Sequence, residues 1–174
     1  MEPIVRRART RDVRGIRTLI EPYAAQRILL GKAPVTLYED VQEFWVAERR
    51  TGRAEGAQTP AIVGCGALHV MWEDLAEVRT VAVDRSCRGL GIGHRILAQL
   101  IDTAQEIGVR RVFVLTFETD FFAAHGFHPI DGSPVPHEVY AELLQSYDEG
   151  VAEFLGLERV KPNTLGNTRM LLTL

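Results

Sequence analysis

The feature that most constrains the fold is the stretch from Glu77 to Ile107, where a strand pattern runs through a glycine-rich turn into a helix pattern. Val78, Thr80 and Ala82 alternate with Glu77, Arg79, Val81 and Val83, and the run is rich in β-branched residues, which predicts a strand. A polar turn over Asp84 to Cys87 leads to Arg88-Gly89-Leu90-Gly91-Ile92-Gly93. Beyond it Ile96, Leu97, Leu100, Ile101 and Ala104 recur at helical spacing. Such a junction points unpaired amide N–H groups out of a helix N-terminus, and glycines remove the side chains that would keep a phosphate away. One glycine would read as a tight connection; three alternating ones behind an arginine point to a ligand. A nucleotide P-loop needs lysine and then Ser or Thr after its last glycine, but His94-Arg95 follows Gly93. A dinucleotide fingerprint would need glycine at His94. These residues leave the phosphate ligand unnamed.

The bounds are simple. A chain of 174 residues that is 46% hydrophobic can bury one core, so residues 1–174 are expected to form a single domain. A net charge of -3 argues against nucleic acid as a partner. No apolar run reaches membrane-spanning length, and Arg6, Arg7, Arg9 and Arg11 interrupt any signal-peptide core, so a cytoplasmic protein is expected. These arginines read as a solvated face. Cys65 and Cys87 are too few for a disulfide framework and lack metal-ligand spacing, so both are expected reduced, Cys65 in the core and Cys87 in a loop, with no bound metal. Oligomeric state, a homodimer included, stays open.

Taken in order, Ile4 to Ala8 reads as a strand, and Thr10 as the N-cap of a helix carrying Val13, Ile16, Leu19 and Ile20 that Pro22 and Tyr23 end or bend. A mobile connection over Arg27 to Pro34 precedes a short helix at Thr36 to Val41. Phe44 to Ala47 and Ala61 to Val70 read as strands joined by a turn at Arg49 to Pro60. Arg111 to Thr116 is an apolar run suited to a strand buried on both faces, and one helix separates it from the Val78 strand, so the two should pair in parallel. A helix at Asp120 to His125 stopped by Gly126, a strand from Phe127, one helix over Glu138 to Phe154 and a closing strand at Arg169 to Leu174 complete the chain.

Arg88-Gly89-Leu90-Gly91-Ile92-Gly93 resembles the pyrophosphate loop of the GNAT acetyltransferases, and Phe121-Phe122-Ala123-Ala124-His125-Gly126-Phe127 resembles their second hallmark. The resemblance implies an α/β (α+β) GNAT fold: a mixed, mostly antiparallel sheet with a splayed parallel strand pair and flanking helices. It also implies an acetyl-CoA site: Arg88, Gly89, Leu90, Gly91, Ile92, Gly93 and His94 at the pyrophosphate, Thr80, Val81, Ala82 and Val83 pairing through their backbone with the pantetheine arm, and Phe122 beside the cofactor. Gly64-Cys65-Gly66-Ala67-Leu68, Ala76-Glu77, Val112-Phe113-Val114-Leu115-Thr116 and Asn167-Thr168-Arg169-Met170-Leu171 look like the acetyltransferase domain of the N-acetylglutamate synthases. That implies acetylation of the α-amine of L-glutamate, the first step of arginine synthesis, by a stand-alone domain. L-Glutamine or another α-amino acid, or a non-catalytic acetyl-CoA sensor, are the alternatives.

The implied chemistry makes demands. The attacking amine must lose a proton, the thioester carbonyl must be polarised and the thiolate must be stabilised. Glu77 occupies the family's base position and, to match an amine, must be partly desolvated or linked through water. A backbone amide near Val81 is implied for the carbonyl. Phe122 stands where many members carry a tyrosine and cannot donate a proton, which leaves water, Tyr140 or Tyr147 as donor, or a thiolate that departs with backbone stabilisation only. For the acceptor's carboxylates the expected residues are Lys32, Arg79, Lys161, Asn167 and Arg169.

Overall fold

The computed structural model describes residues 2–51, 59–157 and 166–174. In chain order it has β1 (Ile4–Arg7), a 3-10 turn (Thr10–Asp12), α1 (Val13–Ala25), α2 (Pro34–Glu39), a second 3-10 turn (Val41–Glu43), β2 (Phe44–Thr51) and β3 (Thr59–Trp72). There follow β4 (Leu75–Val83), a third 3-10 turn (Arg85–Cys87), α3 (Ile92–Glu106), β5 (Arg111–Thr116), α4 (Thr119–Ala123), β6 (His128–Pro129), α5 (His137–Leu143), α6 (Glu149–Leu155) and β7 (Thr168–Thr173). The strand order is β1-β2-β3-β4-β5-β7-β6. β4 and β5 run parallel, while β1–β2, β2–β3, β5–β7 and β6–β7 are antiparallel. Two compact units share these strands: Met1–Leu68 with Val78–Thr103, and His69–Glu77 with Ala104–Leu174.

In the first unit the apolar stripe of α1, Val13, Ile16, Leu19 and Ile20, is buried against Leu37, Phe44, Val46, Cys65, Ala67 and Ala82. Gly64 and Gly66 flank Cys65 on β3 and so face the opposite side of the sheet, where α3 lies. A Cβ on Gly64 would sit 2.8 Å from side-chain carbons of both Ile92 and Ile96, so only glycine lets α3 approach this closely.

Four expectations change in this unit. Thr10 does not cap α1; it opens the preceding 3-10 turn, and the Asp12 carboxylate caps that turn by accepting from Arg9 N–H at 2.8 Å. Pro22 lies inside α1, which runs on to Ala25 because its buried stripe outweighs the single hydrogen bond a proline removes. Cys87 is buried at 1% exposure. Arg6 is no solvated cation: it donates to Asp12 Oδ2 at 2.7 Å and Oδ1 at 3.0 Å, and its Nε donates to Glu48 Oε2 at 2.9 Å. Asp12 and Glu48 are buried, which a bidentate guanidinium makes tolerable.

Burial alone would raise the Asp12 carboxyl, but the Arg6 hydrogen bond, the Arg9 amide and the charges of Arg6 and Arg11 outweigh it and hold the group below the usual carboxylate range. A depressed carboxyl contributes stability that is present above its unfolded pKa, about 4, and is lost as pH falls through the lower folded value. Asp12→Asn is therefore expected to lower unfolding stability by roughly 2–3 kcal/mol at pH 7. It should also remove part of the wild type's further loss below about pH 4. Urea unfolding across that range measures both, and a variant as stable as wild type at pH 7 would sink the prediction.

In the second unit β5 pairs with β7 along its length, from Arg111↔Thr173 to Thr116↔Thr168. β7 does not close the sheet, because β6 pairs with its other side through His128↔Leu171 and Pro129↔Met170. The core gathers Met71, Leu75, Phe113, Leu143, Val151, Phe154, Leu155 and Leu171. Phe113 and Phe154 meet edge to face, centroids 5.0 Å apart. The single late helix divides into α5 and α6, since Ser146 Oγ accepts from Asp148 N–H at 3.1 Å and Asp148 caps α6 by accepting from Val151 N–H at 2.9 Å. Such short polar side chains offer the backbone partners that compete with a continuous helix. Gly126, at φ 88°, stops α4 as expected.

Candidate active site

The glycine loop lies where the sequence places it, between β4 and α3. Asp84 caps the 3-10 turn, accepting from Ser86 N–H at 2.8 Å, and the Ser86 hydrogen bonds hold its carboxyl below the usual range. Gly89 and Gly91 adopt φ 77° and 70°, left-handed values that a side chain disfavours, and both face open space. Gly91 O accepts the first helical bond from Arg95 N–H at 3.1 Å, so Ile92 and Gly93 precede the hydrogen-bond ladder of α3. Arg88, Leu90 and His94 are exposed around this turn. Arg88 stacks 6.0 Å over the Tyr23 ring and donates to the Tyr23 hydroxyl at 3.4 Å; that hydroxyl donates to Val83 O at 2.5 Å. Tyr23 is thus a site residue missed from sequence, where it read as a helix terminator. It fixes α1, the end of β4 and the loop arginine together.

Along β4, Val78, Thr80 and Ala82 are buried while Arg79, Val81 and Val83 are half-buried, which matches the alternation in sequence. Thr80 breaks the extended conformation with φ 58°, an unusual value for a β-branched residue and one that costs roughly 1–2 kcal/mol. Arg79 before this irregularity and Val81 and Val83 after it are alike half-buried, whereas Glu77 is buried and stands outside that alternation. Pairing with β5 covers Leu75↔Arg111 to Glu77↔Phe113, and both strands continue beyond it. Glu77 is 4% exposed, the desolvation a base for an amine requires.

The remaining candidates separate. In the first unit Lys32 is paired to Asp40 at 3.3 Å. In the second, Phe122 is buried edge to face with Phe121 and Phe127, and Asn167 is half-buried. Tyr140 donates to Leu155 O at 3.5 Å, whereas Tyr147 is 97% exposed. Lys161 lies outside the described residues. Arg169 is a cross-link of the fold: it donates to Gly132 O at 3.2 Å, Glu153 O at 3.0 Å and Phe154 O, and lies over the Phe113 ring at 5.3 Å. The two helix-end carbonyls attract a cation. Burial lowers its pKa, with the Glu153 charge opposing. Arg169→Lys is expected to lower the melting temperature by about 5 °C, since lysine cannot bridge three carbonyls, and to leave the amino-acid KM within twofold. A large KM change at unaltered stability would restore Arg169 to the acceptor site.

Among the described residues no group of three His, Cys, Asp or Glu could hold a metal, and no helix is long and apolar enough to cross a membrane.

Residues 16–129 match the model of the acetyltransferase (GNAT) family. An amino-acid acetyltransferase of Mycobacterium tuberculosis is 58% identical over 172 residues, 99% of this chain and 95% of the relative. A crystal structure of a protein from the same organism in complex with CoA and NLQ superposes with a TM-score of 0.90 at 58% identity, covering 99% of both chains. The N-acetylglutamate synthase of Neisseria gonorrhoeae, complexed with coenzyme A and N-acetyl-glutamate, is 26% identical with a TM-score of 0.75; the match covers 100% of this chain and 35% of that one. A loop of matching sequence at the N-terminus of α3, the mixed sheet around β4 and a family match over most of the chain converge, and the chain belongs to the GNAT acetyltransferase family.

Proposed function

We propose that this protein transfers the acetyl group of acetyl-CoA to the α-amine of L-glutamate. The observation that carries the acceptor is the Neisseria relative, whose fold the whole chain follows and which holds coenzyme A and N-acetyl-glutamate together. In this reading the pyrophosphate sits on the amides opening α3, beside Arg88, and the pantetheine arm runs along Thr80 to Val83 toward Glu77. Glu77 takes the proton of the substrate ammonium, directly or through water. The free amine attacks the thioester carbon, the Val81 N–H holds the oxygen as it gains charge, the C–N bond forms and the C–S bond breaks. CoA leaves as thiolate, and the proton that the attacking nitrogen sheds as it becomes the amide passes to it through water, since Phe122 has none to give. Arg79 and Lys32 meet the acceptor's carboxylates.

One observation favours L-glutamine as a second acceptor. Lys32 already has Asp40 and Arg169 already has backbone carbonyls, which leaves less cationic charge for a side-chain carboxylate than the sequence promised. An acceptor screen with acetyl-CoA, following thiol release for each amino acid, separates the readings. Glutamate is expected to give the highest kcat/KM; a higher value for glutamine replaces the first reading by the second, and no release with any α-amino acid removes both.

A further inference from the structure

Cys65, at the middle of β3, is wholly buried, and its Sγ donates to the Thr80 carbonyl at 3.4 Å. Burial pushes the thiol up to about 12, against a smaller opposing pull from the Ala82 N–H. The side chain is thus a protonated thiol that donates its hydrogen to the Thr80 carbonyl. Thr80 C=O shares a peptide plane with Val81 N–H. The described chain has no cis peptide bond, and in a trans peptide C=O and N–H point in opposite directions. With the Thr80 carbonyl turned to the sulfur, the Val81 N–H points away from it. Thr80 itself is held at φ 58°, a conformation that a β-branched residue does not keep unaided.

We propose that Cys65 is a positioning residue for acetyl transfer, which through the Thr80 carbonyl turns the Val81 N–H toward the thioester carbonyl of acetyl-CoA. The inference rests on the reading of β4 as the strand that binds the pantetheine arm. No covalent role belongs to the thiol; it sets the direction of a donor on the neighbouring strand. Gly64 and Gly66 lock the register from the other face, since α3 packs directly on them.

Isotope-edited infrared spectra of acetyl-CoA labelled at the thioester carbonyl test this, with coenzyme A affinity measured by calorimetry on the same proteins. Bound to wild type, the carbonyl stretch is expected at lower frequency than in solution. Cys65→Val, which keeps shape but loses the hydrogen bond to Thr80, should lose most of that shift with coenzyme A affinity within about threefold, and kcat should fall about tenfold or more. Cys65→Ala gives the same expectation should valine disturb the core. Cys65→Ser keeps a donor and an acceptor and should retain the shift, a rescue that simple core packing would not produce. A wild-type shift in both apolar variants overturns the role of Cys65 while leaving Val81 in place. A wild type that shows no shift removes the Val81 donor, and the inference with it.

Discussion

Replacing Gly93 with valine is expected to weaken acetyl-CoA binding by at least about a hundredfold, roughly 2.7 kcal/mol, while the melting temperature stays within about 3 °C of wild type. Gly93 is the second residue of α3, so its backbone is helical and any L residue can adopt it. Valine is no worse a helix former than glycine, and the fold should tolerate the change. The amide at this position is among the first four of the helix, which have no partner within it. A branched side chain there occupies the space through which phosphate oxygens would reach those amides. Gly91→Val is the poorer test, because φ 70° would strain the loop whether or not a ligand binds there. Calorimetric binding of Gly93→Val within threefold of wild type would take the loop out of the proposed cofactor site.

Glu77→Gln is expected to lower kcat by about 10²- to 10³-fold at pH 7, with the deficit shrinking as pH rises. Glutamine keeps the shape and can hydrogen-bond, but it cannot accept the proton of an ammonium. The amine's free-base fraction grows about tenfold per pH unit below its own pKa, so alkaline conditions supply what the carboxylate no longer generates. The burial of Glu77 makes the charge change consequential in either role, and the pH–rate profile distinguishes them. A purely structural carboxylate would shift stability and leave the two profiles parallel, and that result would end its assignment as the base.

The sequence by itself determined what local periodicity and backbone chemistry encode. The strand over Val78 to Val83, the glycines of the loop, the helix carrying Ile96, Leu97 and Leu100 and the apolar run Arg111–Thr116 all formed where alternation and 3.6-residue spacing put them. The crossover between β4 and β5 required a parallel pair, which left little choice of topology around the loop. Only tertiary structure decided which partner each polar side chain found. Arg6 reads as solvated from its arginine-rich neighbourhood, yet it neutralises carboxylates at Asp12 and Glu48, the latter 42 residues away in the chain. Arg169 reads as an acceptor ligand until α6 ends against it, and Tyr23 reads as a helix stop until its hydroxyl meets Val83. The split between α5 and α6 turned on the Ser146 and Asp148 caps, which compete with helix propensity on nearly equal terms. Cys65 reads as a small core residue, and so it is, but its Sγ also donates to the carbonyl of Thr80, a left-handed residue on the neighbouring strand. A backbone dihedral that side-chain identity disfavours leaves no trace in composition or period, because only the packing around it supplies the energy that holds it.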